Sequence, residues 1–199
     1  MTPQAFYGAA YPQMCAAEQQ LTALIGRCPV ARDSGDGEKA VLYCKSRIKA
    51  PESMMRKLEK NGLPPTGRAA LEHMHDAVGV RAVCAFTDDV YRVASWLSGR
   101  PEIRVKTVKD YIATPKPNGY RSYHLILALT DGPGAGITAE VQLRTIAADF
   151  WAALEHQMKY KHTVPHEQLI RDELKRCADE IASVDLSMQT IRELLSEHF

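Results

Sequence analysis

The sequence predicts an α+β fold: a mixed β-sheet flanked by helices, with further helical segments at both ends of the chain. Three observations predict it. Short apolar runs with strand character recur at Ala40–Cys44, Val78–Phe86, Ser122–Leu129 and Thr138–Arg144. Helical segments separate the first strands, whereas the later strands follow one another directly, which a mixed sheet accommodates most simply. Apolar residues make up 45% of the 199 positions, enough for one substantial core and too many for a disordered chain. The expected organisation is one domain with three parts: an N-terminal helical segment over 1–40, a core over 41–161 and a C-terminal helical segment over 162–199.

Each element has its own signal. Met14, Ala17, Leu21, Leu24 and Ile25 recur at helical spacing between Pro12 and Cys28, and Pro29 closes that helix. Asp33 to Gly37 reads as an exposed loop. Pro51 and Glu52 stand where a helix begins, with Met54, Met55 and Leu58 on its apolar face and Asn61-Gly62 at its end. A helix is expected over Arg68–His75, and Asp88-Asp89 starts another whose face is Val90, Val93, Ala94 and Leu97. Ile103–Ile112 reads as extended, Pro115–Gly119 as a loop, and Asp131–Gly136 as a turn. Phe150, Trp151, Leu154 and Met158 give Ala147–Lys161 helical spacing. Leu169, Leu174, Ala178, Ile181, Val184, Met188, Ile191 and Leu195 do the same for the tail.

The charge balance narrows the function. With 25 basic and 24 acidic side chains the formal net charge is +1, which argues against a general polyanion binder and against nucleic acid as an obligatory partner. The five cysteines are widely spaced and form no CxxC pair, so buried free thiols in a reducing compartment are expected. The N-terminal residues lack a secretory signal pattern and no apolar run approaches a membrane span, so a cytoplasmic protein without membrane attachment is expected.

Polar chemistry gathers in four clusters. Arg47, Lys49, Ser53, Arg56 and Lys57 lie where a strand passes into a helix, a setting able to surround a triphosphate, or simply a solvated basic face. Asp76 precedes the strand that holds Arg81; the carboxylate suits magnesium, and the guanidinium faces either a ligand, a carboxylate or solvent. Lys116, Asn118, Gly119, Tyr120, Arg121 and His124 form a loop rich in phosphate-, sugar- and base-binding groups, which packing alone explains poorly. Glu140, Gln142 and Arg144 alternate with Val141 and Leu143, so the three polar side chains share one strand face. Glu155-His156 lacks the second histidine of a zinc helix, and no Walker loop, nucleophile elbow or dinucleotide fingerprint is present.

Four ordered motifs carry a resemblance: SRIKAPESMMRKL, DAVGVRAVC, KDYIATPKPNGYRSYHLIL, and EVQLRT followed by DFWAALEHQMKYK. Over the span from Leu42 to Lys161 the chain resembles the synthetase domain of the RelA/SpoT alarmone enzymes in its small stand-alone form. The resemblance implies transfer of the β,γ-pyrophosphate of ATP to the 3′-oxygen of GDP or GTP, with magnesium as cofactor and release of AMP. It implies that Arg47 and Arg81 sandwich adenine while Lys49, Ser53, Arg56 and Lys57 hold the ATP phosphates. Asp76 and Glu140 would carry magnesium, and Glu140 would also serve as base for the 3′-hydroxyl. Tyr120 would stack on guanine, and Lys116, Asn118, His124, Gln142 and Arg144 would line the acceptor side. A hydrolase domain is not expected, so synthesis without degradation is implied, as is a homotetramer built through the terminal helices. Tyr43 stands at the place of an aromatic residue in a central product-binding cleft, but the residues around it differ from the family's, so allosteric activation is not expected. Two alternatives stay open: a related pyrophosphokinase with an adenine-nucleotide or RNA acceptor, and a nucleotide-binding module without turnover.

Overall fold

A computed structural model describes residues 1–30, 38–159 and 166–196. In chain order the helices are α1 (Pro3–Tyr7), α2 (Tyr11–Gly26), α3 (Pro51–Lys60), α4 (Gly67–His73), α5 (Thr87–Ser98), α6 (Ile146–Lys159) and α7 (Glu167–Ser196), and a 3-10 turn joins α1 to α2. The strands are β1 (Val41–Ile48), β2 (Val78–Cys84), β3 (Ile103–Asp110), β4 (Tyr123–Leu129) and β5 (Thr138–Thr145). They form one mixed sheet in the order β1-β2-β5-β4-β3, in which only β2 and β5 run parallel. The fold is therefore α+β with a mixed sheet.

Local chemistry accounts for several boundaries. Pro51 opens α3, where its missing N–H costs nothing. Thr66 caps α4 by accepting from the Ala69 amide at 3.2 Å. β2 is dominated by β-branched and small apolar residues, whereas β5 alternates apolar residues with Glu140, Gln142 and Arg144. Alternation along the strands then sorts the two faces. Val78, Val80 and Ala82, Ala139, Val141 and Leu143, and Leu125, Leu127 and Leu129 enter the main core with Met14, Leu21 and Ile25 of α2, Met54 and Leu58 of α3, and Val90, Val93 and Leu97 of α5. The intervening residues point to the opposite face, where the site lies.

Several expectations are corrected. β1 does not stop at Cys44 but runs to Ile48, because pairing with β2 continues to Ile48↔Val78; Lys45 and Arg47 are thus sheet residues. β2 ends at Cys84, two residues before Phe86. On α6, Trp151 is buried but Phe150, Leu154 and Met158 are exposed. The inward side of that helix instead carries Asp149, Ala152 and Glu155, since it lies over the polar side of the sheet. On α7, Ala178 is buried and Leu174 and Ile181 pack beside it, whereas Leu169, Val184, Met188, Ile191 and Leu195 face outward. Of the five free cysteines, Cys28 and Cys84 are buried and the others half-buried; burial pushes the Cys84 thiol up to about 12. The expected loop Asp33–Gly37 and the end of the expected helix Ala147–Lys161 lie outside the described residues.

Candidate active site

The site is built on the polar face of the sheet. Residues opposite one another on paired strands point to the same side. Lys45 pairs with Arg81 and Arg47 with Gly79; Gly79 in turn pairs with Glu140 and Arg81 with Gln142; Gln142 pairs with His124. Four strands thereby place residues of all four sequence clusters side by side. A cavity of ≈ 260 Å³ opens over them, lined by Lys45, Arg47, Gly79, Arg81, Glu140 and Gln142 among others. A second, of ≈ 610 Å³, adjoins it through Arg47 and is lined by Lys49, Ser53, Arg56, Lys57, Lys60 and His156. Five cations and a histidine around one cleft suit a polyphosphate.

Asp76 anchors the basic cleft. Its carboxylate accepts from Lys49 Nζ at 2.5 Å and pairs with Lys57 Nζ at 2.8 Å. Burial alone would push this carboxyl up, but the two ammonium groups hold it below the usual carboxylate range. Beneath them the Tyr7 hydroxyl donates to the Lys49 carbonyl at 2.8 Å, and burial followed by the Asp76 charge pushes that phenol up to about 12.

A continuous hydrogen-bonded chain forms the other side. Glu140 Oε1 lies 3.0 Å from His124 Nδ1, and Glu140 Oε2 accepts from Gln142 Nε2 at 2.8 Å. Arg144 Nη2 donates both to Gln142 Oε1 at 2.9 Å and to the Tyr120 hydroxyl at 2.8 Å, and that hydroxyl lies 2.8 Å from His124 Nε2. Burial raises the Glu140 carboxyl, but the His124 and Gln142 contacts outweigh it and hold it below the usual range; the Asp76 charge opposes them. The two carboxylates therefore feel each other across the cleft. Gly119, at φ +86°, turns the loop so that Tyr120 follows, and Asn118 Nδ2 donates to Glu155 Oε1 at 3.0 Å. The half-buried Tyr120 ring leans on Trp151, Ala152 and Ala178, and Lys116 Nζ lies 4.9 Å from its centroid.

The structure thus brings all fourteen sequence-predicted residues onto or around one face. It adds four that sequence reasoning did not assign. Asp149 of α6 accepts from Arg81, Arg144 and Tyr43. Glu155 holds Asn118, His156 lines the basic cleft, and Tyr111 packs edge-on against Tyr120 and His124. Asp149, Glu155 and His156 sit on a helix whose sequence signal was its apolar spacing and, at Glu155-His156, an incomplete zinc pattern; placing that helix over the polar side of the sheet brings them to the site.

Among the described residues, no group of three or more His, Cys, Asp and Glu side chains is arranged as a metal site. Magnesium does not require one: one or two hard carboxylates plus substrate phosphates suffice. Asp76 and Glu140, both held ionised, are donors of that kind. No described helix is long and apolar enough to cross a membrane.

Comparison with known proteins gives concordant results. Residues 46–164 match the family described as the region found in RelA / SpoT proteins. GTP pyrophosphokinase YwaC of Bacillus subtilis is 41% identical over 160 residues, covering 79% of this chain and 76% of that protein. The crystal structure of small alarmone synthetase 1 from Bacillus subtilis bound to its product pppGpp superposes with a TM-score of 0.80 at 29% identity, covering 92% of this chain and 94% of that one. A GTP pyrophosphokinase family protein from Streptococcus pneumoniae gives 0.82 at 28% identity, covering 100% and 97%.

Proposed function

The chain belongs to the RelA/SpoT synthetase family, and from that premise we propose how its site works. It is a GTP pyrophosphokinase that synthesises guanosine tetra- and pentaphosphate, moving the pyrophosphate of ATP to the 3′-hydroxyl of GDP or GTP and releasing AMP. We read the region that matches the family, residues 46–164, as a synthetase region. We read 41–161 as the synthetase core and 1–40 and 162–199 as helical segments packed around it.

The observation that carries the mechanism is Glu140, which stands between the basic cleft and the Tyr120–His124–Arg144 network with its carboxyl held ionised. In our reading ATP enters with adenine between Arg47 and Arg81 and its phosphates among Lys49, Ser53, Arg56 and Lys57. GDP or GTP lies against Tyr120, within reach of Lys116, Asn118, His124, Gln142 and Arg144. The 3′-oxygen attacks the β-phosphorus, the bond from that phosphorus to the α,β-bridging oxygen breaks, and AMP leaves. Glu140 takes the hydroxyl proton as the new P–O bond forms. The lysines and arginines offset charge on the transferred group, so positioning and electrostatics supply most of the rate. Asp76 and Glu140 would hold magnesium, which when bound neutralises phosphate charge. Both substrates are cytoplasmic nucleotides, and we place the enzyme there.

The outward apolar residues of α7 support a homo-oligomer, which we read as a tetramer. Light scattering on the purified chain tests this; a monomer that stays monomeric at high concentration refutes it.

Turnover is tested with radiolabelled ATP and each acceptor in turn. Label should pass to GDP and GTP; label on an adenine nucleotide or an RNA end alone would favour the alternative acceptors. Glu140→Gln should lose at least about 100-fold in turnover while keeping the fold by circular dichroism. Alarmone synthesis at the normal rate by that variant would refute the proposed base.

A further inference from the structure

We infer that Asp149 is a positioning residue that couples the two nucleotide sites, one carboxylate orienting both a donor-side and an acceptor-side arginine. This rests on the reading above that Arg81 serves ATP and Arg144 serves GDP or GTP. The geometry starts at the junction of β5 and α6. Thr145 Oγ1 accepts from the Ala148 amide at 3.1 Å, which begins α6 directly after the strand and turns the next residue inward. Asp149 therefore lies in the first helical turn with its side chain only 9% exposed.

Three strands converge on it. Arg81 Nη1 from β2 donates to Asp149 Oδ1 at 3.1 Å, and Arg144 Nη1 from β5 donates to the same oxygen at 3.0 Å. The Tyr43 hydroxyl from β1 donates to Oδ2 at 3.2 Å. Sharing one acceptor oxygen brings two guanidinium groups close together. Their mutual repulsion is evident at Arg81, which burial and then Arg144 push down while Asp149 opposes them. The Nε atoms of both arginines are buried with no hydrogen-bond partner among the described residues, so each fork depends on its Nη atoms for orientation. Removing the charge at Asp149 would leave two half-held cations repelling each other across the boundary between the pockets. Residues confined to one pocket, such as Lys57, affect one nucleotide; Asp149 affects both.

The test is Asp149→Asn, which keeps the size and removes the charge. Equilibrium binding of a non-hydrolysable ATP analogue and of GDP is measured separately on wild type and variant, beside steady-state KM values for each nucleotide. Both dissociation constants and both KM values should rise about tenfold or more, the cost of misplacing positioning groups. A rise for one nucleotide only, or for neither, overturns the inference. Should the variant not fold, Tyr43→Phe removes only the Oδ2 tether at a half-exposed position; weakening of both nucleotides by about two- to fivefold supports the inference and a one-sided or absent effect overturns it. The proposed function fails on a different result, namely wild-type protein that transfers no pyrophosphate to a guanine nucleotide.

Discussion

Replacing Gly119 by alanine should separate the cost of a backbone conformation from the cost of a helix contact, and show that α7 holds the acceptor loop in place. Gly119 has φ +86°, and a Cβ built there would lie 2.5 Å from Ala178 Cβ and 3.5 Å from Lys175 Cα. The first feature costs a residue with a side chain about 1–2 kcal/mol. The second is an overpacked contact between the loop and the Ala178 methyl on the helix, about 1–3 kcal/mol. Gly119→Ala should therefore destabilise the fold by about 2–5 kcal/mol, the sum of those two ranges. Ala178→Gly removes the partner methyl and by itself costs about 1 kcal/mol as a glycine inside a helix. In the double variant the contact cost disappears and the backbone cost remains, so the two changes should be less than additive by about 1–3 kcal/mol. Urea unfolding of the four proteins measures this cycle. The KM for GDP should follow it, rising in Gly119→Ala and recovering in part in the double variant, because Tyr120 is the next residue; the KM for ATP should stay within twofold. Strict additivity, within about 0.5 kcal/mol, would show that α7 does not bear on this loop and would refute the reasoning.

Two further predictions follow from the donor side. Gly79→Val should fold normally, since its Cβ would meet nothing nearer than the Arg47 carbonyl at 3.9 Å, yet its side chain would occupy the cavity between Arg47 and Glu140. Binding of an ATP analogue should weaken at least about tenfold with little change in melting temperature; unchanged ATP binding would remove that cavity from the donor site. Asp76→Asn tests the charge pairing with Lys49 and Lys57. Because the folded carboxyl is held below its ordinary value, its stabilisation is complete above about pH 4 and is lost as pH falls through the lower folded value. The wild type should thus exceed the variant in stability by a constant amount from pH 5 to 8, with the gap closing in stronger acid. A gap that widens as the solution is acidified would contradict the pairing.

Much of the candidate site is legible in the sequence. Glu140, Gln142 and Arg144 alternate with two apolar residues, and that spacing alone put them on one strand face. Tyr120 and His124 stood out because a loop dense in polar chemistry beside Gly119 is poorly explained by packing. Arg81 stood out because a guanidinium within an apolar strand needs a partner. That partner was not legible: Asp149 lies 68 positions away, and its helix advertised only its apolar residues. Phe150, Leu154 and Met158 give that helix its spacing, yet they face outward, because the side of α6 that meets the sheet carries the carboxylate that satisfies two arginines.

Periodicity and side-chain chemistry determined the element types, the mixed character of the sheet and the polar residue types that gather at the candidate site, because those properties act over a few neighbouring positions. Strand order, the parallel β2–β5 pairing and the orientation of α6 and α7 were decided only in three dimensions. Pairing β5 beside β2 sets Glu140 next to Gly79, and laying α6 across the sheet sets one carboxylate between two arginines. Neither juxtaposition has a local cause; each arises when distant segments bury their apolar faces together and leave the charged ones to meet.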